Sequence, residues 1–136
     1  MNVPFLDLGA QYRELRTEID GAIARVLQSG WYVLGPEVET FELEWAGFCN
    51  AQYAVGVANG LDALTLALRA LNIGAGDEVI VPSNTYIATW LAVSAVGAIP
   101  VPVEPDQATH NIDPTKIEAA VTIRTRAILP LSLIHI

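Results

Sequence analysis

Tyr53-Ala-Val-Gly-Val-Ala-Asn-Gly-Leu-Asp-Ala-Leu-Thr-Leu-Ala-Leu-Arg-Ala-Leu71 changes its period partway along. Tyr53 to Val57 is a short apolar run, bounded as a buried strand is bounded. From Leu61 onward the apolar residues Leu61, Leu64, Leu68 and Leu71 recur at helical spacing. Ala58-Asn59-Gly60 makes the turn between the two. Asn59 is placed to cap the helix, and Asp62, three residues on, faces its first-turn amides. A strand that runs through Asn-Gly into a helix leaves several backbone N–H groups without internal partners. Together with the helix dipole, these favour an anion such as a phosphate. Taken alone, the turn reads as an ordinary βα connection, because neither GxGxxG nor GxxxxGK[ST] is present.

Upstream, residues 1–9 are an extended lead-in, with Phe5, Leu6 and Leu8 seeking a hydrophobic surface. Residues 11–28 predict one amphipathic helix with Tyr12, Leu15, Ile19, Ala22, Ile23 and Val26 on its apolar face. Gly30 then supplies a left-handed cap. Trp31-Tyr32-Val33-Leu34-Gly35 is an aromatic loop. Pro36 starts a further helix, whose first turn holds Glu37 and Glu39 and whose buried stripe is Val38, Phe41, Trp45 and Phe48. Trp31 and Tyr32 lie in a connection, where an aromatic ring meets a ligand or partner about as often as it fills a core.

Downstream, residues 78–81 predict a strand stopped by Pro82. Ser83-Asn84-Thr85 offers caps for a helix over residues 86–96, ended by Gly97. Residues 99–103 predict another strand, which Pro100 and Pro102 push to a sheet edge. Asp113-Pro114 opens a helix over residues 115–121, and a last strand begins at Arg126. Strands alternating with helices over short connections indicate an α/β domain with a parallel sheet.

The chain has 136 residues, 52% of them hydrophobic, which supports a packed core of one-domain size. A formal net charge of −8 argues against a broad nucleic-acid-binding face. Backbone amides can still bind one phosphate without basic side chains. Cys49, the single cysteine, leaves no internal disulfide and no metal-ligand cluster, and it reads as a buried thiol. With no signal peptide and no membrane-length apolar run, the chain reads as cytoplasmic.

Ligands of open α/β sheets bind at the carboxyl ends of strands. Asn59-Gly60-Leu61-Asp62 offers amides there, and Pro82-Ser83-Asn84-Thr85-Tyr86 offers hydroxyls, an amide and a ring able to stack on a flat heterocycle. Together they suit a planar phosphorylated cofactor. His110 and His135 each stand alone, and no nucleophile–base set forms around them. The acid pairs Glu37/Glu39 and Asp77/Glu78 read as solvated charges.

Four stretches in order resemble one family: Gly30-Trp-Tyr-Val-Leu-Gly-Pro-Glu-Val38, Val57-Ala-Asn-Gly-Leu-Asp-Ala-Leu64, Gly76-Asp-Glu-Val-Ile-Val-Pro-Ser-Asn-Thr-Tyr-Ile-Ala-Thr89 and Asn111-Ile-Asp-Pro114. They look like the N-terminal part of the DegT/DnrJ/EryC1/StrS sugar aminotransferases, over residues 4–130. The resemblance implies the large domain of the type I pyridoxal-phosphate (PLP) transferase fold, an α/β/α arrangement around a mostly parallel sheet, here truncated. It implies a homodimer that moves an amino group from glutamate to a nucleotide-linked keto sugar. The wording of residues 57–64 is most similar to members acting at C-3 of dTDP-3-keto-6-deoxyhexoses. By the resemblance, the amides of Gly60, Leu61 and Asp62 cup the PLP phosphate, Tyr86 stacks on the ring, and Trp31 and Tyr32 approach the sugar. Many relatives have Thr or Ser where Leu61 stands. The implied sheet order groups the strands at 78–81, 99–103 and 126–130 and leaves 53–57 apart, at one edge.

The chain also departs from the family. The lysine that members join covalently to the cofactor, and the Asp that pairs with the pyridine nitrogen, belong beyond residue 136. Lys116, the single lysine, reads as a surface residue, so no catalytic residue is assigned. After Pro130 the pattern breaks into Leu131-Ser-Leu-Ile-His-Ile136, which reads as a non-native tail on a domain of residues 1–130. The alternatives are a self-sufficient module binding a phosphorylated ligand, and a sugar dehydratase relative with histidine in place of the lysine.

Overall fold

The structure is a computed structural model that describes residues 5–132. It divides into two compact units, Met1–Gly56 and Val57–Ile136.

The first unit is helical. The sequence predicts one helix over residues 11–28, and the structure has two, α1 (Leu8–Glu14) and α2 (Arg16–Ser29). The break falls at Leu15, whose φ of −102° and ψ of 18° leave helical geometry. The hydrogen-bond ladder continues across it, with Leu15 N donating to Gln11 O and Ile19 N to Leu15 O, both at 3.0 Å. Gly30 closes α2 at φ +67°, the left-handed conformation expected of it. Pro36 opens α3 (Pro36–Phe48), also as expected.

The buried stripe expected on α3 does not form. Phe41 is 57% exposed, Trp45 50% and Phe48 81%, and Ala46 is the buried residue of the helix. The rings contact one another along the helix instead, Phe41 stacked on Trp45 at a centroid distance of 5.8 Å and Trp45 tilted against Phe48 at 5.5 Å. Helical spacing sets which residues share a face. It does not supply a second apolar surface to lie over that face, and none covers it among the described residues. Cys49, expected to be buried, is exposed for the same reason.

The run at Tyr53 to Val57 is not a strand, and Tyr53 and Val55 are largely exposed. A strand needs a neighbour to receive its donors and acceptors. The three strands described here pair only with one another.

The second unit holds α4 (Gly60–Ala70), β1 (Glu78–Pro82), α5 (Ile87–Ala95), β2 (Ile99–Val103), α6 (Pro114–Ala120) and β3 (Thr125–Ile128). The strands form a parallel sheet in the order β2-β1-β3, the grouping that the family resemblance implies. β1 lies in the middle and is buried along its whole length. β2 is an edge, as its prolines require. Ile99 N donates to Asp77 O at 2.9 Å, so the amides of alternate residues 99, 101 and 103 face β1. The donors that Pro100 and Pro102 lack therefore fall on the open side.

Both α4 and α5 return from the carboxyl end of the sheet to its amino end and pack against each other. Leu68, Ile73, Val79, Val81, Ala92, Val93 and Ala98 form the core between them and one face of β1. Ile80, one residue out of phase, is fully buried toward the opposite face. Asp77 and Glu78 are structural rather than solvated. Glu78 is 4% exposed, accepts from the Thr122 hydroxyl at 2.5 Å and pairs with the Arg124 guanidinium. The Thr122 hydroxyl, with help from Arg124, holds its carboxyl below the usual range despite burial. Asp77 is held low in the same way by the Gly74 amide and Arg126. These four contacts tie the start of β1 to the turn before it and to the start of β3.

Candidate functional site

The N-terminus of α4 is built by Asn59. Its backbone is extended (φ −164°, ψ 174°), and its side-chain oxygen accepts from Asp62 N at 2.9 Å. Its Nδ2 donates to the Asp62 carboxylate at 3.0 Å, so side chain and backbone of Asp62 are both engaged with the cap. The amides of Gly60 and Leu61 have no protein partner among the described residues. Leu61 packs its side chain against the core. The space beside Gly60 is open, and a Cβ built there meets no atom within 4 Å. Two free donors at the positive end of a helix dipole, with room above them, suit a phosphate.

The second segment follows β1. Ser83 N donates to Val103 O at 3.0 Å, which joins the carboxyl ends of β1 and β2. The caps expected from Ser83, Asn84 and Thr85 do not form. Tyr86 itself holds the N-cap position, in extended geometry and without a side-chain cap, and Thr89 N donates to its carbonyl at 3.2 Å. Its ring is 73% exposed and therefore available to stack. The hydroxyls of Thr85 and Thr89 are buried and have no partner among the described residues. A buried hydroxyl left unpaired costs about 1–3 kcal/mol, so this corner of the fold is polar beyond its own needs.

Because α4 and α5 run alongside each other from the carboxyl end of the sheet, their N-termini stand at that same end. Gly60, Leu61, Asp62 and Tyr86 thus belong to one region of the second unit. Trp31 and Tyr32 belong to the first unit. There they line a cavity of about 230 Å³ with Arg25, Val26, Pro36 and Val38. Trp31 Nε1 donates to Val33 O at 2.7 Å, and its ring lies close over Gly35, where a Cβ would come within 3.4 Å of it. Arg25 grips Glu37 with two contacts, at 2.8 and 3.4 Å, which lower the Glu37 carboxyl. Lys116 is half-exposed and pairs with Asp113 at 3.2 Å, as a surface lysine does.

Sequence reasoning missed one contact. Asn84, read as a cap, instead donates through Nδ2 to the carbonyl of His110 at 3.0 Å. The two are far apart in the chain, and no local pattern announces the pair. Among the described residues no group of three or more His, Cys, Asp or Glu is arranged to hold a metal. Among them no helix is long and apolar enough to cross a membrane.

The family model for the DegT/DnrJ/EryC1/StrS aminotransferase family matches residues 13–134. The dTDP-3-amino-3,4,6-trideoxy-alpha-D-glucose transaminase of Streptomyces venezuelae is 65% identical over 96% of this chain and 35% of its own length. The dTDP-3-amino-3,6-dideoxy-alpha-D-galactopyranose transaminase of Aneurinibacillus thermoaerophilus is 60% identical over 96% of this chain and 36% of its own. The crystal structure of S. venezuelae DesV in complex with a ketimine intermediate superposes with a TM-score of 0.91 at 66% identity, covering 94% of this chain and 34% of that one. A DegT/DnrJ/EryC1/StrS aminotransferase from Brucella abortus gives the same TM-score at 37% identity, covering 97% of this chain and 37% of that one. The chain spans about a third of the length of the curated relatives it matches.

Proposed function

The chain belongs to the DegT/DnrJ/EryC1/StrS aminotransferase family, and from that membership we propose that it forms the phosphate- and ring-binding face of a PLP-dependent aminotransferase. The whole enzyme moves an amino group from glutamate to a nucleotide-linked keto sugar and works as a cytoplasmic homodimer. The dTDP-linked 3-amino sugars named for two of its relatives favour a dTDP-3-keto-6-deoxyhexose as the acceptor. Residues 1–130 are part of the cofactor-binding domain. Of the divergent tail, residues 133–136 lie outside the described residues.

The observation that carries this reading is the pair of free amides at Gly60 and Leu61, with open space beside Gly60, at the same end of the sheet as the exposed Tyr86 ring. When bound, PLP supplies the electron sink that lets an amino group leave one carbon and join another. The protein's share is to hold it. The Gly60 and Leu61 amides donate to the phosphate, while Asn59 keeps the turn in shape through Asp62. Tyr86 offers its face to the ring, and Trp31 and Tyr32 wall the sugar. Nothing in this chain can serve as the covalent lysine. Lys116 is exposed and ion-paired with Asp113 near the start of α6, as a surface lysine is.

The reading is tested in a chimera in which this chain replaces the segment it matches in the S. venezuelae transaminase. It should bind PLP, seen by absorbance titration, and transfer the amino group of glutamate to a dTDP-linked 3-keto sugar. A folded chimera that does not bind PLP overturns the reading. Within it, Tyr86→Phe should keep most of the cofactor affinity, while Tyr86→Ala should lose about 1–2 kcal/mol, as aromatic contacts do. Equal affinity of Tyr86→Ala and the unsubstituted chimera would take Tyr86 out of the site.

A further inference from the structure

The loop between β2 and α6 is built with more care than a connection requires. Its neck is closed by an antiparallel bridge between Pro105 and Ile112 and by Asp113 N donating to Glu104 O at 3.3 Å. Inside, Asp106 Oδ1 accepts from Ala108 N at 3.0 Å and from Thr109 N at 2.9 Å. Asp106 N donates to Asn111 O, and His110 N to Asp106 O, both at 2.9 Å. These bonds hold His110 at φ +56°, in the left-handed region, which non-glycine residues enter rarely and histidine more often than most. Glycine or asparagine would sit there with less strain. A strained, over-determined residue at the ligand-binding end of a sheet points to a use for its side chain.

The loop leaves the carboxyl end of β2, which Ser83 N joins to the end of β1. Asn84 tethers the loop to the β1 end, its Nδ2 donating to His110 O at 3.0 Å. Asn84 is two residues before Tyr86, so the bond fixes the His110 backbone beside the segment that presents the stacking ring. The His110 side chain is exposed. An imidazole can donate through its ring N–H, which suits the hydroxyl and phosphoryl oxygens of a nucleotide-linked sugar.

We propose that His110 contacts the nucleotide-linked sugar and that Asn84 is the positioning residue that holds it in place, a proposal that rests on the aminotransferase reading. In the chimera, His110→Gly removes the imidazole and relieves the backbone, so the melting temperature should hold or rise. KM for the dTDP-linked keto sugar should increase about three- to tenfold, the range for one lost hydrogen bond. kcat and PLP affinity should stay within about twofold, because the contact is made equally before and during reaction. His110→Asn keeps both the left-handed backbone and a hydrogen-bonding side chain, and it should recover part of the KM. Asn84→Asp keeps the shape but replaces the donor with a carboxylate. Amide exchange across residues 106–111 should quicken, and KM should rise in the same direction.

An unchanged KM in His110→Gly overturns the role of His110, and unchanged exchange in Asn84→Asp overturns that of Asn84. If the unsubstituted chimera folds without transferring an amino group, the aminotransferase reading fails instead. Calorimetric titration with dTDP-glucose then replaces KM as the measure of His110, and equal affinity with and without the imidazole overturns the proposal.

Discussion

Expressed alone, residues 1–136 should not give a monomer that unfolds in one cooperative transition. The helical unit leaves Phe41, Trp45 and Phe48 half-exposed or more, and α2 leaves Ile23 and Leu27 likewise. Roughly 100 Å² of uncovered apolar surface on each aromatic, at about 25 cal/mol per Å², is about 2.5 kcal/mol of burial that each ring does not realise. Whole domains are stable by only about 5–15 kcal/mol, so three such rings decide the outcome. The sheet adds to the problem, because both β2 and β3 are open edges. Circular dichroism should show a broad, concentration-dependent loss of helix, with association evident in sedimentation. A sharp transition of a monomer, at a temperature independent of concentration, would sink the prediction. The chimera supplies the surfaces that relatives carry in their other two-thirds, and it should melt sharply.

What the sequence revealed and what it hid divide along one physical line. Features set by neighbours in the chain were legible. Asn59 caps α4, Gly30 closes α2, Pro36 opens α3, and Pro100 with Pro102 put β2 at an edge. Features that depend on distant partners were not. The α3 stripe has the correct spacing, but periodicity says only which face is apolar and never what will cover it. The same gap misassigned Cys49 and made a strand of Tyr53 to Val57. Glu78 looked solvated because Thr122 and Arg124, which hold it, lie far along the chain. Asn84 looked like a cap because its real partner, His110, is equally remote. At the candidate site the cap and turn could be read directly from Asn59-Gly60-Leu61-Asp62. That Asp62 spends its amide on the cap, leaving Gly60 and Leu61 as the free donors, needed coordinates.

Gly60 separates stability from cofactor binding more cleanly than any other position. Its φ lies outside the left-handed region and a Cβ there meets nothing within 4 Å, so the fold itself does not require glycine. Alanine is the better helix former, by up to about 1 kcal/mol in a helix interior and less at the first position. Gly60→Ala in the chimera should therefore melt at the same temperature or slightly higher without cofactor. The bound phosphate, however, would occupy the space that the methyl group fills. Each charge-assisted hydrogen bond lost from the phosphate costs about 1.5–3 kcal/mol, or roughly ten- to a hundredfold in affinity. Gly60→Val, with a branched side chain over both amides, should fall at the weak end of that range or below it. PLP titration by absorbance, set beside thermal melts of the cofactor-free variants, reads the two effects separately. If Gly60→Val keeps its melting temperature and binds PLP as tightly as the unsubstituted chimera, the amides of Gly60 and Leu61 do not hold the phosphate. Lost affinity with a matching loss of stability would mean that glycine serves the turn, and the open space beside it would have no bearing on the cofactor.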